Sequence, residues 1–298
     1  MIKVALSLFG LQNWFGGDFA PVLDIARIAD RMGVDQVNVV DHVIMSEDTG
    51  KYPYGRFPAA PSTPWYEPIT VLAAVAGATE KIRLSTGIVI SPLRPAVLLA
   101  KQLATLDVIS RGRVEIGLGT GWQRQEYDAC GVPWERRFAR MWEQVRVCRE
   151  LWSKAPASFA GQTVSFEQLY STPFPVQKHI PLWFGIAPTP HNVERIAELG
   201  DGWLPMERDP EKLKEPIARL QAAFRARGRD PKTLVVRTGL RPVFRADRSA
   251  DLDATLEQVP ALVAAGVNII DFSPSPFCKG PADVERFFER IVSLKTRY

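Results

Sequence analysis

The sequence is poor in the residues that build disulfide frameworks and metal centres. It has only three cysteines and three histidines among 298 residues. The cysteines are odd in number and far apart, with no C-x-x-C pair, which is typical of reduced thiols. No segment approaches the ~18 consecutive apolar residues of a membrane span, and the N-terminus lacks the pattern of a secretory signal. We therefore expect a cytoplasmic protein that does not enter a membrane.

Several catalytic and binding motifs are also missing. H-E-x-x-H and paired Cys/His spacings do not occur, so we expect no metal centre, and G-x-S-x-G of serine hydrolases is absent. The glycines of "GLGTGW" (117–122) are spaced G-x-G-x-G rather than G-x-G-x-x-G, which argues against a dinucleotide fold. The net charge is +4, and lysines and arginines are scattered instead of forming a basic stripe. A small molecule is therefore a better partner than a nucleic acid.

What the chain does contain is a regular alternation of strand and helix patterns. Strands are predicted at 2–9, 35–41, 81–90, 113–119, 181–186, 201–206, 233–244 and 267–273. Helices are predicted at 21–33, 68–79, 95–110, 136–152, 191–200, 210–228, 250–265 and 282–294. Eight such units predict an α/β fold, a single (β/α)₈ TIM barrel with its helices outside. A doubly wound open sheet is the alternative. No linker is evident, so we expect residues 1–298 to form one domain.

Two segments are longer than the connections that a minimal barrel needs. Residues 43–67 form a long loop after the second strand, rich in proline, glycine and aromatic residues, and long ordered loops are often functional. Its aromatic residues could roof a pocket or simply seal the barrel mouth: Tyr52, Tyr54, Phe57, Trp65 and Tyr66. Residues 153–180 predict a hairpin insertion before the fifth strand, to which the sequence assigns no chemistry.

The second strand ends in "VVDHVIM", which holds the most conspicuous histidine. Functional groups of barrels cluster at the carboxyl ends of the strands. Period-2 alternation places Asn38 and His42 on one side, and Val37, Val39 and Asp41 on the other. Because the two valines suit the helix layer, His42 should lie at the barrel mouth. An imidazole there can orient substrate or transfer a proton near neutral pH, or it can simply satisfy a buried strand end.

Three segments carry a family resemblance: the dipeptide "DH" at 41–42, "LSTGIVISPLRPAVLLAKQLATLDVISRGRVEIGLGTGW" at 84–122 and "ELGDGWLP" at 198–205. They resemble the bacterial luciferase-like superfamily, most closely its coenzyme F420-dependent branch. The resemblance implies a barrel whose strand ends hold a deazaflavin or flavin ring, and a hydride transfer between F420 and a small organic substrate. Two alternatives stay open: an FMN-dependent monooxygenase that uses reduced flavin and oxygen, and a non-catalytic flavin-binding protein.

The resemblance also implies roles for individual residues. His42 and Asp41 would be catalytic. The cofactor would lie against Ser7, Thr86, Gly87, Ile88, Gly119, Thr120, Gly121, Gln125, Gly185, Ile186 and Ala187, with a bulge at 86–88 that often holds a non-proline cis peptide. The family usually has Gly-Gly where this chain has Ile186 and Ala187. The substrate pocket would include Phe9, Tyr54, Trp65 and Trp122; the last stands where related sugar-phosphate dehydrogenases carry a carboxylate. We also expect a homodimer.

Overall fold

The structure is a computed structural model that describes residues 2–298. Its strands are β1 (Lys3–Ser7), β2 (Gln36–Val39), β3 (Arg83–Thr86), β4 (Val89–Ile90), β5 (Val114–Gly119), β6 (Ala157–Ala160), β7 (Ser165–Leu169), β8 (Leu182–Phe184), β9 (Gly202–Trp203), β10 (Val235–Gly239), β11 (Val243–Phe244), β12 (Ala250–Asp251) and β13 (Ile269–Phe272). Its helices are α1 (Val22–Met32), α2 (Pro68–Ala78), α3 (Ala96–Ile109), α4 (Arg124–Ala129), α5 (Arg137–Ser153), α6 (Pro190–Leu199), α7 (Pro210–Ala226), α8 (Leu252–Leu256), α9 (Val259–Ala264) and α10 (Val284–Val292).

Eight parallel strands form a closed barrel. Their order is β1, β2, β3, β5, β8, β9, β10 and β13, and β13 pairs back onto β1. The pairing of β3 with β5, in which Leu84 lies opposite Val114, completes the circle. The short β4 continues β3 after an interruption and also pairs with β5. The sequence-based expectation of a (β/α)₈ barrel is therefore confirmed, and the open sheet is excluded.

The outer helices form where apolar residues recur at helical spacing between residues that can begin and end a helix. On α1, Val22, Ile25 and Ala29 are buried on one face, and Gly33 ends the helix at φ 84°, a left-handed conformation that suits glycine. Helix α6 begins at Thr189, whose side chain accepts a hydrogen bond from the Asn192 N–H. Both helices thus return the chain to the base of the barrel with their apolar faces inward.

Four local predictions were wrong. The predicted strand 81–90 is interrupted after Thr86, and the predicted strand 233–244 leaves the barrel after Gly239. The predicted helix 250–265 is two short helices, α8 and α9, because the chain turns between them before Pro260. The short α4 was not predicted at all. The last error matters most, because α4 carries part of the candidate site.

The predicted hairpin insertion is present. Strands β6 and β7 pair antiparallel outside the barrel. Their turn is held by the buried Glu143 of α5, whose carboxylate accepts hydrogen bonds from the N–H groups of Gln162, Thr163 and Val164. Within residues 2–298, no helix is both long and apolar enough to cross a membrane.

Candidate active site at the barrel mouth

His42 lies directly after β2 and is held by a buried carboxylate. Its Nδ1 lies 3.1 Å from Oε2 of Glu126, and Oε1 of Glu126 accepts a hydrogen bond of 2.9 Å from the Val43 N–H. A carboxylate can only accept, so the imidazole donates its Nδ1–H to Glu126. The Nε2 atom then carries a free lone pair, and within residues 2–298 it makes no hydrogen bond.

Glu126 is the functional residue that the sequence analysis missed. It lies on α4, its side chain has no exposed surface, and it is 84 residues from His42 along the chain. Gln123 at the start of α4 holds the chain after His42, because its Oε1 accepts from the Ser46 N–H and its Nε2 donates to the Ile44 carbonyl at 3.4 Å. Gln125, whose cofactor role stays a prediction, is exposed on α4.

Aromatic side chains of the 43–67 loop close over the imidazole. The ring of His42 lies edge-on to Trp65 at 4.6 Å between centroids, to Phe57 at 5.9 Å and to Trp122 at 6.0 Å. Phe9 packs on Trp65 at 4.7 Å. The indole N–H groups of Trp65 and Trp122 are buried without a hydrogen-bond partner among the described residues. Buried donors of this kind are normally completed by a water molecule or by a bound polar group.

The other predicted roof residues divide into two groups. Tyr52 joins the cluster, with its ring 5.3 Å from that of Trp122, whereas Tyr54 contacts Tyr52 and is mostly exposed. Tyr66 turns away, packs on Phe19 and donates its hydroxyl to the Gly17 carbonyl. We call Tyr52, Phe57, Trp65 and Trp122 the aromatic cover.

Asp41 has contacts that favour a structural role over the catalytic one we expected. Its carboxylate is buried and accepts from both terminal nitrogens of Arg94, at 2.6 and 3.1 Å, and from the Ile90 N–H. Burial alone would lower the pKa of Arg94, but its hydrogen bonds and ion pairs to Asp41 and Glu67 raise it above the ordinary value. With both oxygens engaged on the helix side of β2, Asp41 ties the strand end to the segment after β4.

The interruption between β3 and β4 forms a bulge whose Gly87–Ile88 peptide is cis, as the resemblance implied. Below it lies a polar floor. Arg237, almost completely buried, donates to the Thr86 carbonyl at 2.7 Å, and its Nε lies 3.2 Å from Asp271. Asn38 donates to Asp271 at 2.6 Å, which confirms that Asn38 faces the barrel axis. Burial lowers the pKa of Arg237, against the opposing charges of Asp271 and Glu115.

Packing within the protein itself explains the glycines around the bulge. A Cβ on Gly119 or Gly185 would come within 2.7 Å of the Ile88 side chain, and one on Gly121 would lie 3.1 Å from Ile90. The resemblance had assigned these three glycines to the cofactor. The structure shows that they also make room for the side chains that the bulge turns inward.

The remaining predicted positions lie around the same rim. Ser7 ends β1 and accepts a hydrogen bond from the Phe9 N–H; Thr86 and Thr120 are buried. After β8, the N–H groups of Ile186 and Ala187 donate to no acceptor within residues 2–298, while the Ala187 carbonyl accepts from Asn192. Backbone amides beside the start of α6 can bind an anion.

A substitution at the bulge tests how tightly the floor is packed. A Cβ on Gly87 would lie 3.1 Å from both Arg237 Nη2 and Asn38 Oδ1, which are fixed by hydrogen bonds. Gly87→Val should therefore lower the free energy of unfolding by about 1–3 kcal/mol, as overpacking does, and should weaken cofactor binding. Urea denaturation measures the first effect. Gly77→Val on α2, where a Cβ meets nothing within 4 Å, is the control; equal stability of the two variants would contradict this packing.

Cavities lie at both ends of the barrel. At the mouth, a cavity of about 20 Å³ is lined by residues that include Phe9, Val39 and Trp65. A larger cavity of about 560 Å³ lies between the end of α5 and residues 175–180, beside His179. These elements precede β8, so this cavity is at the amino-terminal end of the barrel, away from His42. No group of three or more possible metal ligands occurs within residues 2–298.

Comparison with known proteins gives a family and a fold. The sequence profile described as luciferase-like monooxygenase matches residues 7–277. The uncharacterized protein Rv0953c of Mycobacterium tuberculosis is 37% identical over 190 residues, covering 63% of this chain and 67% of that relative.

Solved structures agree with the barrel. The monooxygenase RslO1 from Streptomyces bottropensis has a TM-score of 0.74 at 22% identity, and 97% of each chain is covered. An F420-dependent secondary alcohol dehydrogenase, solved with an F420-acetone adduct, has a TM-score of 0.74 at 18% identity with the same coverage. At these identities the likeness speaks for the fold alone.

Proposed function

Because the chain belongs to the luciferase-like monooxygenase family, we propose that it is an oxidoreductase that binds coenzyme F420 at the barrel mouth and moves a hydride to or from a small organic substrate. The observation that carries this proposal is the His42–Glu126 pair beneath an aromatic cover with two unpartnered indole N–H groups. The pair supplies a proton-handling group, and the cover supplies apolar walls with polar donors. Both suit a flat ring and a reacting substrate.

The residues fit a ring cofactor only if the cover moves. The rings of Trp65, Phe57 and Trp122 lie 4.6, 5.9 and 6.0 Å from that of His42, so the cover fills the space above the imidazole. Trp65 and Phe57 belong to a loop without regular secondary structure, so they can move outward with it. The bulge at Gly87 and Ile88 would then back the ring, and the amides of Ile186 and Ala187 would hold a phosphate.

His42 has a definite task in such a reaction. A bound oxidised deazaflavin would supply the acceptor for a hydride, which takes both electrons of the substrate C–H bond. The hydroxyl proton of an alcohol substrate must leave at the same time, and Nε2 of His42 has the free lone pair to accept it. Glu126 stabilises the resulting imidazolium through Nδ1–H. In the reverse direction His42 returns that proton to the carbonyl oxygen.

The alternative is an FMN-dependent monooxygenase that uses reduced flavin and oxygen, since the family includes such enzymes. A panel of neutral and carboxylate-bearing alcohols, mixed anaerobically with oxidised F420 and the protein, separates the two. We expect loss of F420 absorbance with at least one alcohol in the absence of oxygen. Substrate consumption that occurs only with reduced FMN and oxygen would establish the alternative, and no turnover with either cofactor would favour a non-catalytic flavin-binding protein.

A second copy of the chain is the partner that we propose for α3. Val97, Leu98, Val108 and Ile109 are exposed on this helix, and positions eleven residues apart return to the same helical face. Leu99, Leu103 and Leu106 are buried on the opposite face. The two exposed apolar pairs flank Lys101 and Thr105 on this face, and exposed apolar surface rimmed by polar residues is typical of an interaction site.

This interface predicts a clear change in mass. In light scattering, the wild type should have twice the 33.2 kDa mass of the chain, and the double variant Leu98→Glu/Ile109→Glu should have the mass of one chain, because two charges would be buried unpaired in the interface. Val243→Glu, at an exposed apolar position of β11, should leave the dimer intact. A monomeric wild type would rule out the dimer.

A further inference from the structure

Arg208 is a cation at the barrel mouth that the hydride-transfer site does not use. It follows β9 and lies over the end of β10, where Arg237 and Gly239 point to the same side of the strand. A Cβ on Gly239 would lie 3.8 Å from Arg208 Nε. The guanidinium thus occupies the space that a side chain at position 239 would fill, one step above the polar floor formed by Arg237 and Asp271.

The charge of Arg208 has no carboxylate within 4 Å in residues 2–298. Its side chain makes one hydrogen bond, from Nη1 to the Leu240 carbonyl at 3.2 Å. The neighbouring Glu207 is turned elsewhere: its Oε1 accepts from the N–H groups of Arg208 and Asp209 and lies 3.1 Å from Arg241. The other cations near the mouth, Arg94 and Arg237, are each paired with a carboxylate.

The aromatic cover extends from His42 through Trp122 to Tyr52. The Tyr52 ring is 5.3 Å from that of Trp122, which in turn is 6.0 Å from the imidazole. Burial raises the pKa of Tyr52, the neighbouring Tyr54 adds to that rise, and the positive charge of Arg208 opposes it. A ligand that reaches from His42 to Arg208 therefore crosses apolar aromatic surface and ends at a half-buried positive charge.

We propose that Arg208 recognises an oxyanion, a carboxylate or a phosphate, at the end of the substrate away from the reacting carbon. Guanidinium groups bind both anions through two parallel hydrogen bonds, and Arg208 has donors available for this. The substrate class is then an apolar or aromatic molecule with one oxyanion end. The inference rests on the proposed function in one respect: the proposed function makes the bound ligand a substrate.

Anion probes test this proposal without knowledge of the substrate. Tryptophan fluorescence, to which Trp65 and Trp122 contribute, would report binding of benzoate, phenyl phosphate and the neutral benzamide to the full chain. We expect benzoate or phenyl phosphate to bind more tightly than benzamide, and the preferred anion to distinguish carboxylate from phosphate. Arg208→Met should weaken anion binding by about tenfold to a hundredfold, the usual worth of charged hydrogen bonds, and leave benzamide binding unchanged.

Controls distinguish an effect of Arg208 on anion binding from an effect of overall charge and from an effect on cofactor binding. Arg208→Lys should restore part of the anion affinity, and Arg241→Met, which removes an exposed cation paired with Glu207, should change nothing. Four results would each overturn the proposal: equal binding of benzoate and benzamide, binding of no probe, an equal loss of anion affinity in Arg241→Met, and a loss of F420 or FMN affinity in Arg208→Met. Failure of both cofactors to bind the wild type would instead overturn the proposed function, while the anion preference would still test Arg208.

Discussion

Replacing His42 by alanine should lower kcat by about 10²–10⁴-fold, the usual contribution of general acid–base catalysis, with little change in cofactor affinity. The reason lies in the geometry. Nδ1 is committed to Glu126 at 3.1 Å, and Nε2 is left as the one atom of the ring that can exchange a proton with a substrate. Loss of the imidazole removes that proton acceptor. It leaves the bulge at Gly87 and the amides of Ile186 and Ala187 in place.

The measurement is kcat with the substrate found in the alcohol panel, together with the Kd of F420 by fluorescence. His179→Ala is the matched control, because His179 is exposed near the opposite end of the barrel and pairs with Asp201, which Arg149 and Arg229 also hold. That variant should keep full kcat. Unchanged turnover in His42→Ala would make His42 a structural residue of the strand end.

Glu126→Gln should produce the second large loss, about 10²–10⁴-fold in kcat, although glutamine has nearly the same size. The amide oxygen can still accept from the Val43 N–H, but the amide NH₂ would then face His42 Nδ1. The imidazole would accept there and carry its proton on Nε2, the wrong tautomer for receiving a proton from substrate. Glu126 is therefore a positioning residue that acts through His42.

Three measurements distinguish this effect on proton transfer from a purely structural role of Glu126. We expect a lower kcat with an unchanged F420 Kd, an altered pH dependence of kcat, and partial rescue by Glu126→Asp. Glu143→Gln is the control: Glu143 is also buried, and it holds the β6–β7 turn. It should cost stability in urea and leave kcat intact. A Glu126→Gln enzyme with wild-type kcat would contradict the proton path.

The sequence predicted the barrel because local patterns repeat eight times along the chain. It also placed Asn38 and His42 on the axis side of β2, since side-chain alternation is a local property. It missed Glu126 for a physical reason. Helix α4 has six residues, too few for a 3.6-residue period to stand out, and the pairing with His42 joins segments 84 residues apart. Only the closed barrel brings them together.

The glycines show a different limit of sequence reasoning. A glycine at a strand end indicates close approach, but the sequence does not say to what. Gly119 and Gly185 both lie against the side chain of Ile88, which the bulge turns inward. Asp41 is similar: the resemblance implied a catalytic role, whereas the fold gives both its oxygens to Arg94 and the Ile90 N–H.

The central claim is that the barrel mouth beside His42 binds a deazaflavin or flavin ring. Titration of the full chain with F420, with FMN and with NAD, followed by ligand fluorescence or calorimetry, tests it most directly. We expect saturable binding of F420 or FMN with one site per chain, and no measurable affinity for NAD. Binding of NAD while both ring cofactors fail would contradict it.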